Sequence, residues 1–169
     1  MFVFVENLAY YNEGKIIGDW FQLGKSDEEL QCFLNDVVCI DKTHEEYFIA
    51  DIESDNLCYS VNSYCDLFEL NRLVCQFNEL SEEEQMTVNA LLETGIFNRL
   101  EDALYNVEHY QLIQDIHNEY DLGYYFLENC NFYDMPEFIL NYIDYESYGR
   151  DILLSGDGDI TKYGYLMTA

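Results

Sequence analysis

Thirty-four carboxylates and three histidines are the side chains of this 169-residue sequence best suited to moving protons or holding metal ions. Paired carboxylates can divide acid and base duties in hydrolysis. With so many acids, however, a close pair such as Asp144 and Glu146 arises from composition alone and carries no catalytic signal. Asp157-Gly158-Asp159 opens like a calcium loop, but Lys162 stands where such a loop needs glycine and Thr168 where it needs a bidentate glutamate. That segment reads as a turn. The six cysteines, at 32, 39, 58, 65, 75 and 130, form no Cys-x-x-Cys pair, and His44, His109 and His117 sit at no zinc-like spacing from them. The sequence has no glycine-rich phosphate loop followed by lysine and no Gly-x-Ser-x-Gly elbow. The expectation is a protein with no catalytic residues, no metal site and no cofactor. The cysteines are expected to be small core residues in a reducing cytosol.

What the acids can do collectively is a different matter. Against 34 Asp and Glu stand 7 Lys and Arg, a formal net charge of −27. Such a chain cannot neutralise phosphates, which excludes nucleic acid and anionic membrane surfaces as direct partners. Acidity of this degree often marks disorder. Here 49% hydrophobic residues, 16 Tyr, 11 Phe and a single Pro argue for a folded core. No stretch approaches the length of a membrane span, and the start, Met1-Phe2-Val3-Phe4-Val5-Glu6, lacks a basic signal region. A cytoplasmic location is expected.

The charge is unevenly opposed. Between Leu73 and Gly149 the one base is Arg99, set among sixteen acids: Glu79, Glu82, Glu83, Glu84, Glu93, Glu101, Asp102, Glu108, Asp115, Glu119, Asp121, Glu128, Asp134, Glu137, Asp144 and Glu146. They stand mostly singly between apolar residues, so a folded scaffold can hold them at defined surface positions. Duplex DNA carries about one charge per 1.7 Å, so twenty-seven charges correspond to roughly 46 Å of duplex. A sphere of this chain length would have a radius of gyration of about 15 Å, and an elongated chain matches the duplex density better. The natural partner is a protein groove lined with Lys and Arg.

The elements that must position these acids are legible from period and punctuation. Residues 2–8 alternate as a strand, Asn12-Glu13-Gly14 marks a turn, and 15–23 read as a second strand ended by Gly24. Ser26 with Glu29 forms a capping box for a helix through Leu34. Residues 45–53 suit a half-exposed strand. Helical spacing of Leu67, Leu70, Leu73, Val74 and Phe77 follows, then a second capping box from Ser81, with Gly95 as the stop. A short helix covers 98–105. Residues 110–116 read as a strand, 120–130 as a helix, and Pro136 opens a helix reaching about Glu146. Ile152-Leu153-Leu154, the turn 155–158 and residues 160–167 read as a hairpin. The fold class expected is α+β, an elongated chain of three small domains: an N-terminal sheet plus helix over 1–61, a helical middle over 62–105, and a C-terminal α+β domain with hairpin over 106–169.

Several segments resemble the ArdA-type antirestriction proteins of conjugative plasmids and transposons. They are Asn7-Leu8-Ala9-Tyr10-Tyr11-Asn12-Glu13-Gly14, Gly18-Asp19-Trp20, residues 45–53, Leu70-Asn71-Arg72-Leu73 and, most specifically, residues 142–151, with Leu154-Ser155-Gly156 and Tyr163-Gly164 after them. Within 142–151 the motif residues are Asp144, Tyr145, Tyr148, Gly149, Arg150 and Asp151. Ala50-Asp51-Ile52-Glu53 departs from the His-Asp-Tyr-Glu associated with that stretch. The resemblance implies a homodimeric mimic of bent duplex DNA, dimerising through its last domain. Such a protein would occupy the DNA-binding groove of type I restriction–modification enzymes and so protect incoming mobile DNA. The sixteen acids would stand in for phosphates, and Arg150 would make an internal salt bridge, to Asp144 or Asp151, or a dimer contact. The alternative is an acidic protein that sequesters some other basic DNA-binding protein.

Overall fold

The computed structural model describes residues 1–129, 140 and 142–169. The Pro136 helix start, Asp134, Glu137 and Cys130 therefore lie outside the described residues. The fold is α+β, with two three-stranded antiparallel sheets. Internal packing divides the chain into two units, Met1–Ser81 and Glu82–Ala169. No helix among the described residues is long and apolar enough to cross a membrane.

In the first unit β1 (Phe2–Asn7) is the central strand between β2 (Gly18–Gln22) and β3 (Tyr47–Glu53). The period of two puts Val3 and Val5 into the core and Phe2, Phe4 and Glu6 on the opposite face. Asn7 ends the strand and opens a short helix that the sequence reading missed, α1 (Leu8–Asn12): its Oδ1 accepts the N–H groups of Ala9 and Tyr10 at 3.1 and 3.3 Å. The same side chain is fully buried because its amide donates to the carbonyls of Val38 and Cys39. A polar residue inside a strand pattern is easily read as one more outward position, which is why the helix was not anticipated.

The Ser26–Glu29 capping box opens α2 (Asp27–Asp36) as expected, and Leu30 and Leu34, one turn apart, are its buried stripe. Helix α3 (Leu67–Glu79) is capped by Asp66 and buries the Leu67, Leu70, Leu73, Val74, Phe77 series. Its Asn71 reaches the β2–α2 turn, accepting from the N–H groups of Gly24 and Lys25 and donating to the Lys25 carbonyl. Contrary to expectation the five cysteines among the described residues are not core residues. Cys32, Cys39 and Cys58 are exposed, and Cys65 and Cys75 are half-buried. Cys32 shows why: on α2 it lies off the Leu30–Leu34 stripe, and the leucines take the volume.

The second unit holds α4 (Glu82–Glu93), α5 (Leu100–Asn106), β4 (Tyr110–Ile113), α6 (Glu119–Tyr124), α7 (Tyr145–Ser155), β5 (Gly158–Thr161) and β6 (Gly164–Thr168). Strand order is β4-β6-β5. Ile116, Leu122 and Tyr165 form a core against which Ile113, Phe126, Ile152, Leu153 and Ile160 pack. Residues 152–154 are thus the end of a helix, not the first arm of a hairpin. Asp144 caps that helix, and Gly156 closes it with φ +81°, a conformation open to glycine. The hairpin is real but lies later, with Thr161 opposite Gly164. Ile152-Leu153 is apolar enough for either element, and with Tyr145 and Gly149 it completes a helical stripe.

Candidate anionic interaction surface

Six of the seven α-helices among the described residues open on acid. The first turn of α2 holds Asp27, Glu28 and Glu29, that of α3 Glu69, of α4 Glu82, Glu83 and Glu84, of α5 Glu101 and Asp102, of α6 Glu119 and Asp121, and of α7 Glu146. None of the seven has a base in its last turn. A carboxylate beside unpaired helix N–H groups is stabilised by the macrodipole. That is how this scaffold fixes so many like charges without a Lys or Arg for each. Glu29 and Asp144 show the effect most directly. Each carboxyl is held below its usual range by the N–H it accepts, from Ser26 and Ser147 respectively, and then by the hydroxyl of the same serine.

Fourteen of the sixteen acids singled out in the sequence are described, and they fall into two groups. Seven serve the fold. Glu93 pairs with Lys162 at 3.8 Å, and Glu101 pairs with Arg99 at 2.7 Å. Asp121 accepts the His117 N–H, Asp144 caps α7, and Glu128 accepts from Tyr145. Glu119 and Glu146 share Arg150, at 3.1 and 3.3 Å. Arg150 is therefore an internal bridge between α6 and α7, as one reading allowed, but its partners are not Asp144 or Asp151. Asp144 is occupied by Ser147, and Glu146 one turn back on the same helix is better placed. Of the remaining acids, Glu84 is half-buried on α4. Glu79 on α3 is exposed, as are Glu82, Glu83, Asp102, Glu108 and Asp115 in the second unit. Those five make no ion pair among the described residues.

The motif at 142–151 is a packing device. Helices α6 and α7 cross at Gly123 and Gly149. A Cβ on Gly123 would run into the Tyr145 carbonyl, and one on Gly149 into the Glu119 carbonyl. Asp144 starts the second helix, Arg150 ties it to the first, and Tyr145 is buried where α6 passes, its ring edge-on to Tyr120. Tyr148 is half-buried and Asp151 exposed. The Tyr145 hydroxyl donates to Glu128 Oε1 at 2.6 Å. Its pKa is pushed up to about 12, first by that hydrogen bond, then by burial and by the charge of the carboxylate. Unfolded tyrosine titrates near 10. The folded state holds the proton more tightly, so the stability this contact supplies is complete below pH 10 and is lost as pH rises through 12. In thermal melts across that window, Tyr145→Phe should show a shallower fall in stability than the parent chain. An identical slope would remove Tyr145 from the linkage.

Surface carboxylates set on helix starts describe an acidic α+β protein. The chain belongs to the antirestriction protein family ArdA, whose family model matches residues 3–167, nearly its whole length. No curated protein matches it. The resemblance seen in the short motifs is thus the family itself, and membership makes this an antirestriction protein.

Proposed function

We propose that the chain imitates duplex DNA and occupies the DNA-binding groove of type I restriction–modification enzymes, as a non-catalytic inhibitor protecting incoming mobile DNA. One observation carries the reading. Glu82, Glu83, Asp102, Glu108 and Asp115 are exposed and make no ion pair among the described residues, while Arg99, the one base between Leu73 and Gly149 in the sequence, is engaged by Glu101. Such carboxylates are available to the Lys and Arg of a groove that otherwise holds phosphates. The acting form is a cytoplasmic homodimer, which would extend the mimic over roughly twice the duplex length. Residues 106–169 carry the dimer contact.

The experiment is a restriction digest by a type I enzyme on an unmodified plasmid, with the protein added in stoichiometric steps. Cleavage should stop near equivalence, and added duplex should relieve the block by competition. Undiminished cleavage at low salt with excess protein would overturn the proposal and leave sequestration of another basic protein as the reading to pursue.

A further inference from the structure

The outer face of the first sheet is built unlike the charged helix starts. Cross-strand register sets two rows across it: Trp20, Phe4 and Asp51 in one, Gln22, Phe2 and Glu53 in the other. Each row has an aromatic ring on the central strand and a carboxylate on the edge strand β3. Directly opposed residues have Cβ atoms about 5 Å apart, so ring and carboxylate lie within reach of one ligand group. Trp20 is 36% and Phe2 43% exposed, and Trp20 packs edge-on to Phe4 with ring centroids 5.4 Å apart. Asp51 and Glu53 are exposed and make no ion pair among the described residues. Farther along the face, Glu6 keeps Oε2 without a hydrogen-bond partner. Neither row contains a Lys or Arg.

We infer that this face docks an arginine-bearing segment of a protein partner. A guanidinium is planar. It stacks on an aromatic ring with one side and offers paired N–H donors to a carboxylate at its edge, which is the chemistry each row presents. A lysine ammonium meets the charge but not the stacking geometry. Nucleic acid is refused by the bare carboxylates, and the same face of a second copy would set Asp51 and Glu53 against their own counterparts. Charge complementarity therefore selects a cationic protein segment. Unlike the phosphate-like acids of the second unit, such a face would bind with part of its affinity surviving salt, because ring stacking is not screened. The inference is independent of the DNA-mimic reading.

Trp20 is the sole tryptophan of the chain, so its emission reports on this face alone. The test titrates the full chain with an arginine–alanine repeat peptide and with a lysine–alanine peptide of equal length and charge, in physiological salt. Labelled peptide anisotropy follows binding anywhere on the chain. The arginine peptide should shift Trp20 emission and bind about tenfold tighter than the lysine peptide. Asp51→Asn with Glu53→Gln, both surface changes, should erase that preference. Neutralising the five second-unit acids should leave the Trp20 response in place, even where restriction inhibition is lost. Equal affinity for the two peptides, or anisotropy that rises while Trp20 emission stays constant, would overturn the inference. An emission shift that follows protein concentration without peptide would assign the face to a second copy instead.

Discussion

Changing Glu82, Glu83, Asp102, Glu108 and Asp115 together to their amides is expected to raise the half-inhibitory concentration in a type I restriction assay by about 100-fold, whereas each single change should move it less than about fivefold. The argument rests on how these side chains are held. Each is exposed and none is committed to an ion pair among the described residues, so each offers one weak contact to a basic groove. Contacts of that kind add, and none dominates. The fold should suffer little, since the five changes relieve repulsion in a chain of formal charge −27 without touching a cap or a buried group, which offsets the lost attraction of Glu82, Glu83 and Asp102 to the starts of α4 and α5. Thermal melts of the five-fold variant should stay close to those of the parent. A single amide that abolished inhibition would replace the distributed surface with a hot spot. A five-fold variant of full potency would move the interaction elsewhere.

Gly149→Ala should destabilise the second unit by about 3 kcal/mol or more, at the upper end of overpacking costs, and lower its melting temperature by roughly 12–24 °C. Its added methyl would enter the carbonyl of Glu119 on α6, and the two backbones are already in contact, with Gly123 N 2.9 Å from that Cβ position. Backbone cannot step aside as a flexible side chain can, so the helices must part. Parting them also stretches the Arg150 bridge and uncovers Tyr145. Gly156→Ala is the comparison. It strains φ +81° but meets open space, and should cost about 1 kcal/mol. Equal losses from the two variants would show that the crossing has room to spare.

These two glycines mark what could and could not be read in the sequence. Caps were legible where side-chain chemistry signals them, as in the Ser26–Glu29 box. Strands with clean alternation, β1 above all, were found within a residue or two. Gly149 and Arg150 were noticed only through resemblance, because their purpose depends on a helix some twenty-five residues earlier and local pattern carries no trace of it. Ile152-Leu153 misled for the same reason, being apolar in any secondary structure. The acid list was readable as a composition, yet not its division. Nothing near Glu119 or Glu128 in the sequence says that one meets Arg150 and the other Tyr145. The available acids could be separated from the engaged ones only with coordinates.

Helices with acid at the start and no base at the end have one more effect. Peptide dipoles leave a fraction of a negative charge on the last carbonyls of a helix, and most proteins mask it with Lys or Arg. Here no helix among the described residues carries one in its own last turn, so α5 is negative at the carboxyl end through the main chain and at the amino end through Glu101 and Asp102. The anionic potential of this protein is then partly a property of its peptide bonds. No side-chain substitution can titrate that share away, and it sets a floor under how neutral the surface can be made.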